Sequence, residues 1–359
     1  MCVDTADAAR FTAEVADLKP GTRIADRYII AERIGEGGMG VVYSARDDKL
    51  RRSVAVKMIA HERAGSSTAR KRLAREARAA AALDNPGIAQ VFDVGETDDG
   101  GAFLVMELVR GQSVRVLGSK MLRPEIVRVI REVARTLGAA HKESLVHRDV
   151  KPDNIMVRDD GRVVLLDFGI AKEVRHRATD GESEPDSVIT AKGAVLGTPP
   201  YIAPEQIRGK DVSPASDQFA LAVVAFQLLT GKKPWDAPSD LGILGQILTA
   251  PPLRLSDVAS WLPASLDEVF ERAMAKDPAH RFDSVEAFAD ALEEKLEPKV
   301  AVEAPPKVLS VPPPAAAPLL AEPTPAEVEA SEARGRLRWV AVAVALAVAA
   351  VAIWFTLQR

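Results

Sequence analysis

Cysteine is almost absent from this 359-residue chain, where Cys2 stands alone. One thiol cannot build a disulfide framework, and a reducing compartment fits. No apolar segment stands behind Cys2, so it reads as a plain residue rather than a lipid attachment point. A strong excess of one charge is missing as well. The formal net charge is −4, which excludes a global basic surface for nucleic acid, and no nucleic-acid partner is expected. The first 25 residues lack the apolar core of a secretion signal, so the bulk of the chain is expected in the cytoplasm. What is present, 47% hydrophobic and 27% charged residues, describes a folded protein of one large or two ordinary domains plus tails.

Composition divides the chain. Residues 1–27 are mixed and rich in Ala and Asp, an N-terminal extension. Strand-like and helical segments then alternate to about Leu296, giving a folded region expected over 28–297. Residues 298–337 are rich in Pro and Ala without an apolar period, and read as an extended linker. Residues 338–357 are expected to form one transmembrane helix, because the nineteen residues from Trp339 to Leu357 carry no charge. At ~1.5 Å per residue they would span ~28 Å, close to the ~30 Å apolar layer of a bilayer. Trp339 and Trp354 lie near its ends, and Arg334, Arg336 and Arg338 precede it, which places the folded part on the cytoplasmic side. The expectation is a single-pass, tail-anchored protein of the cytoplasmic membrane. The small residues of this segment suit either close pairing of two helices or a simple anchor.

The stretch from Arg33 to Ala45, "RIGEGGMGVVYSA", holds Gly35, Gly37, Gly38 and Gly40. Such a turn opens a helix that holds a dinucleotide, or joins two antiparallel strands as a lid over nucleotide phosphates. Val41 to Tyr43 continue as strand and no helix pattern follows, so the lid reading leads. A second strand, "SVAVKMIA", carries Lys57. Further on, Leu73, Ala77, Ala80 and Leu83 form a helical stripe with Glu76 beside it, placed to hold Lys57. His147, Arg148, Asp149, Lys151, Asp153 and Asn154 crowd into eight residues between apolar flanks. Asp167 ends the apolar run "VVLL", where a carboxylate is costly unless hydrogen-bonded or metal-bound. Asp167 and Asn154 offer the oxygen donors that a hard divalent cation takes.

In this order and spacing these motifs resemble the eukaryotic-like serine/threonine protein kinases of bacteria. The resemblance runs from Tyr28 to Leu296, about three quarters of the chain. "GEGGMGVV" matches the Gly-rich loop, "VAVK" the strand lysine, "HRDVKPDN" the catalytic loop, "DFG" the metal aspartate, and Ala203 to Glu205 the end of the activation segment. It implies an α+β, bilobal protein-kinase fold. A small antiparallel β lobe with one helix, about 28–107, would precede a larger helical lobe, about 108–297. It also implies ATP as phosphoryl donor, Mg²⁺ with Mn²⁺ as an acceptable substitute, and protein substrates with Ser or Thr acceptors.

Residue by residue, the resemblance implies that Ile34, Gly35, Glu36, Gly37, Gly38, Met39 and Gly40 cover the nucleotide, with Val42 and Ala55 beside the adenine. Lys57 would bind the phosphates and be held by Glu76. Met106 would back the adenine pocket, and Glu107 and Leu108 would offer it backbone hydrogen bonds. Asp149 would orient the acceptor hydroxyl, Lys151 would neutralise charge on the transferred group, and Asn154 and Asp167 would hold the metal. Asp217 would brace the catalytic loop, Glu205 would pair with Arg281, and Thr198 would contact the base and Lys151. Asp283 and Glu286 stand at capping-box spacing before a late helix. Arg148 before the base implies control by phosphorylation of the activation segment, with Thr190 as the main candidate and Ser187 and Thr179 behind it. A homodimer for that autophosphorylation is compatible with the reading. The rival from another class is a scaffold that has lost catalysis, and the presence of every catalytic residue type argues against it.

Overall fold

From Tyr28 onward, β-branched and aromatic residues recur at alternate positions, the pattern of strands with one face buried. The computed structural model describes residues 18–37, 40–59, 74–75, 77–97, 101–168 and 199–296. Gly38, Met39, Glu76, Thr179, Ser187, Thr190, Thr198, the 298–337 linker and the 338–357 segment lie outside the described residues. Among the described residues no helix is long and apolar enough to cross a membrane.

The first lobe is an antiparallel sheet of β1 (Arg23–Ile24), β2 (Tyr28–Gly37), β3 (Gly40–Asp47), β4 (Arg52–Ile59), β5 (Val91–Glu96) and β6 (Ala102–Glu107), in the order β1-β2-β3-β4-β6-β5. Period two sorts its side chains. Val54, Val56 and Met58 of β4 and Phe103 and Val105 of β6 join Tyr28, Ile30 and Tyr43 in one apolar cluster. Ala55 and Lys57 must then face the other side, and their partners in the ladder are Met106 and Leu104. On that side Ile59, Ala102 and Leu104 join the core that continues into the second lobe. Residues 77–81 are helical, and Ala77 and Ala80 are buried, as their spacing requires.

Asp47 closes the outer corner of this sheet. Its carboxylate is fully buried and takes Arg27 through both oxygens, at 2.9 and 2.7 Å. The N–H groups of Lys49 and Leu50 also donate to it, each at 3.1 Å, and shape the turn into β4. The Arg27 bonds outweigh the cost of burial and pull the Asp47 carboxyl down to about 2.

The second lobe begins with β7 (Gly111–Ser113), α1 (Val114–Leu117) and α2 (Arg123–Lys142). Ile126, Ile130, Val133 and Leu137 of α2 form a buried stripe at helical spacing. β8 (Ile155–Arg158) and β9 (Val163–Leu165) pair with β7 in a small antiparallel sheet, order β7-β8-β9. Then follow α3 (Pro204–Ile207), α4 (Pro214–Thr230), α5 (Asp240–Thr249), α6 (Leu255–Val258), α7 (Leu266–Ala273) and α8 (Val285–Leu296). From Ser216 to Phe226 every residue of α4 is buried, so this helix is the axis of the lobe. The cap of α8 differs from the expectation. Ser284, not Asp283, accepts the N–H of Ala287 at 3.1 Å, because α8 starts at Val285 and places Ser284 directly before it.

Asp47 carries a pH-dependent part of the stability. Its folded pKa lies below the unfolded value, so the stabilisation is present above pH ~4 and is lost as pH falls towards ~2. Asp47→Asn should lower the unfolding free energy by about 2 kcal/mol at neutral pH. Denaturant titrations at several pH values should show that difference closing on acidification.

Candidate active site

Asp217 sits one turn into α4 with its carboxylate buried. Its Oδ2 accepts the N–H of His147 at 2.8 Å and its Oδ1 the N–H of Arg148 at 2.8 Å. The Nε2 of His141, in the last turn of α2, also meets Oδ2 at 2.8 Å. These bonds hold the loop before β8 in a shape that it would not choose freely. Arg148 has φ of +65°, left-handed for a residue with a full side chain.

His147 is wholly buried. Its Nε2 donates to the carbonyl of Leu166 at 2.9 Å, and its Nδ1 accepts the N–H of Asp149 at 3.3 Å. Burial lowers the His147 pKa against the pull of Asp217 and Asp149, so the ring is neutral and bridges two segments. The ring also packs on Phe168, with centroids 4.6 Å apart. Asp149 and Asp167 are therefore set by one shared side chain, although 18 positions separate them.

Asp149 faces the cleft with two partners on one carboxylate oxygen. Lys151 Nζ donates to Oδ2 at 2.8 Å and Asn154 Nδ2 at 3.1 Å. Asn154 Nδ2 also donates to the backbone carbonyl of Asp149 at 2.8 Å. Both amide hydrogens of Asn154 are thus spent on Asp149, which leaves its Oδ1 as the oxygen donor. The β8–β9 register pairs Ile155 with Leu165, and the N–H of Leu166 bonds the carbonyl of Asn154 at 2.8 Å. Asn154 and Asp167 therefore lie at the same end of one hairpin. An amide oxygen and a carboxylate suit a hard divalent cation, so this donor set fits Mg²⁺.

Asp167 has φ of +52° and accepts Lys57 Nζ at 2.7 Å. Lys57 projects from β4 of the first lobe, so this ion pair crosses the cleft. Glu76, the partner expected for Lys57, lies outside the described residues. Val42 stands opposite Lys57 in the ladder and Met106 opposite Ala55, so the four share the face that lines the cleft. Ile34 is exposed at the lip, and Glu36 pairs with Arg33. Gly35 pairs with Val42 and Gly37 with Gly40 in the hairpin. Gly40 has φ of +139°, and a Cβ there would stand 1.8 Å from the carbonyl oxygen of Met58. Its bareness is demanded by the approach of β3 to β4, quite apart from any ligand.

The backbone N–H of Glu107 is committed to the carbonyl of Gln90 at 2.8 Å, so the carbonyl is what Glu107 has left for a nucleotide base. Leu108 follows, half-buried. Below the cleft, Glu205 and Arg281 form a buried two-bond pair at 2.8 Å each, as the resemblance implies, and Ser216 Oγ donates to Glu205 at 2.7 Å. Burial opposes charge on Glu205, but the Arg281 bonds and charge prevail and hold its pKa below the usual range. Sequence reasoning left His147 without a role and did not mark His141. The signal for His147 was a histidine set among apolar residues beside the acidic cluster; for His141 there was none.

The protein kinase domain model matches residues 28–292. The chain belongs to the serine/threonine protein kinases. It is 38% identical over 325 residues to the serine/threonine-protein kinase PknA of Mycobacterium tuberculosis, covering 87% of this chain and 71% of that one. It is 39% identical over 276 residues to PknL of the same organism, covering 75% and 66%. The crystal structure of the Mycobacterium tuberculosis PknI kinase domain superimposes with a TM-score of 0.60 at 32% identity. That match covers 77% of this chain and 99% of the PknI chain. The expected bilobal fold is therefore present in the kinase domain.

Replacing Asp217 by Asn swaps an acceptor for an amide donor that faces two backbone N–H groups. Asp217→Asn should cost about 2 kcal/mol or more of folding free energy and lower the transfer rate more steeply than Asp47→Asn does. Denaturation curves beside initial rates would check both.

Proposed function

We propose that this kinase transfers the γ-phosphoryl group of ATP to Ser or Thr hydroxyls of cytoplasmic proteins. The observation that carries the reading is the convergence, in one cleft, of the Lys57–Asp167 pair and the Asp149–Lys151–Asn154 cluster. Phosphoryl transfer asks mainly for positioning and charge neutralisation, and this set supplies both.

In the proposed reaction Lys57 binds the α- and β-phosphates of ATP, exchanging its carboxylate partner for phosphate oxygens. Asn154 and Asp167 would hold Mg²⁺, which when bound neutralises phosphate charge. Asp149 accepts a hydrogen bond from the acceptor hydroxyl, orients its oxygen towards the γ-phosphorus and takes its proton as the new O–P bond forms, while the bond from the γ-phosphorus to the β,γ-bridging oxygen breaks and ADP leaves. Lys151 offsets charge on the transferred group. The backbone of Gly35, Gly37 and Gly40 closes over the phosphates.

The same proposal includes regulation and place. Phosphorylation of the activation segment, with Thr190 as the main site, would bring a dianion to Arg148. Residues 338–357 would anchor the protein in the cytoplasmic membrane with the kinase domain on the cytoplasmic side. Two copies held there would phosphorylate each other.

Lys57→Met and Asp149→Asn should each reduce transfer at least about a thousandfold while the variants unfold at wild-type denaturant concentrations. The assay is incorporation of γ-labelled phosphate into a generic basic protein with Mg²⁺, followed by phosphoamino-acid analysis. Label on Ser or Thr that both variants lose supports the proposal. Activity retained by both purified variants would overturn it.

A further inference from the structure

We infer that Arg158 is a positioning residue for the adenine side of the cleft, holding both ends of the three-residue connection between the lobes. The inference rests on the kinase reading above. The first lobe ends at Glu107 on β6, Leu108, Val109 and Arg110 cross over, and the second lobe begins at Gly111 on β7. Arg158, in β8, meets the chain on both sides of that crossing. Its Nη2 donates to Glu107 Oε1 at 2.6 Å, and its backbone stands opposite Gly111 in the β7–β8 ladder.

Each contact is specific in its own way. Gly111 has φ of +147°, and a Cβ there would lie 2.1 Å from the carbonyl oxygen of Val157 and 2.7 Å from the Cα of Arg158. The second end of the connection is therefore pressed against β8 more closely than any other residue allows. At the first end, the side chains of Arg158 and Glu107 are only 18% and 27% exposed, so their attraction is less screened than that of a surface pair. Among the described residues the buried Nε of Arg158 has no hydrogen-bond partner, and Glu107 is the carboxylate that its guanidinium bonds. Arg162, whose charge also reaches Glu107, is itself bound to Asp160 at 2.6 and 2.9 Å.

Glu107 cannot shift alone. Its N–H is held by Gln90, and it stands opposite Val54 on β4, three positions before Lys57. The Arg158 pair thus ties β8, which starts beside Asn154, to the ladder that carries Lys57. Between these anchors the carbonyl of Glu107 and the backbone of Leu108 are presented to the base at a fixed height. Loss of the pair should loosen recognition of the base and leave the phosphoryl-transfer groups in place.

The test is steady-state kinetics of the full chain in detergent with ATP and with GTP as donors, for Arg158→Leu, Glu107→Gln, the double variant and the exchanged pair Glu107→Arg with Arg158→Glu. KM for ATP should rise about tenfold in each single variant, and in Arg158→Leu kcat should stay within about twofold of wild type. The preference for ATP over GTP should narrow. The double variant should be no worse than either single one, and the exchanged pair should recover much of the loss. Should Arg158→Leu fail to fold, Arg158→Lys and Glu107→Gln carry the same test. An active wild type whose variants keep the same KM and donor preference, or whose effects simply add, overturns the inference alone. A folded wild type that binds no ATP overturns the kinase reading and this inference with it.

Discussion

The carboxylate of Asp217 is the constraint on which the active site depends. It is buried in the first turn of the central helix, where a lone charge would be very costly, and three donors converge on it. Two are consecutive backbone N–H groups, which can point at one carboxylate only when the chain between them turns sharply. The next residue step, at the left-handed Arg148, bends the chain again. The turn then places His147 inside and Asp149 at the cleft. The central helix thereby decides where the candidate base stands.

The cleft repeats the same economy of charge. Lys57 faces Asp167, Lys151 faces Asp149, and beneath them Arg281 faces Glu205. In each of these three pairs the counter-ion lies within hydrogen-bond distance, as burial demands. The pairs at the cleft differ from the one below it. Glu205 and Arg281 are sealed and bind further groups of the lobe, so they hold shape. Lys57 and Asp167 are joined by one bond between two lobes, so parting them breaks neither core.

Much of this was legible in the chain itself. Alternation along β4 puts Val54, Val56 and Met58 on one face and Lys57 on the other, and the structure keeps that division. The spacing of Asp149, Lys151 and Asn154 within one loop forces them together, whatever surrounds them. Other features left little trace. Ser284 and Asp283 are both good caps, and only the packing of α8 chose between them. The glycine at 40 reads as a place for phosphates, while the nearest atom that demands it is the Met58 carbonyl of the neighbouring strand.

The sequence by itself determined the class of chemistry. Local spacing sets which side chains share a loop or a strand face, and side-chain type sets what they do with a proton, a phosphate or a cation. The tertiary structure decided which distant groups meet. Asp217 reaches back 70 positions to His147, Asp167 reaches back 110 to Lys57, and Arg158 reaches back 51 to Glu107. Such partners follow from how two lobes and a central helix pack. No period in the chain encodes them, because the distance between them is closed by burial of the segments in between.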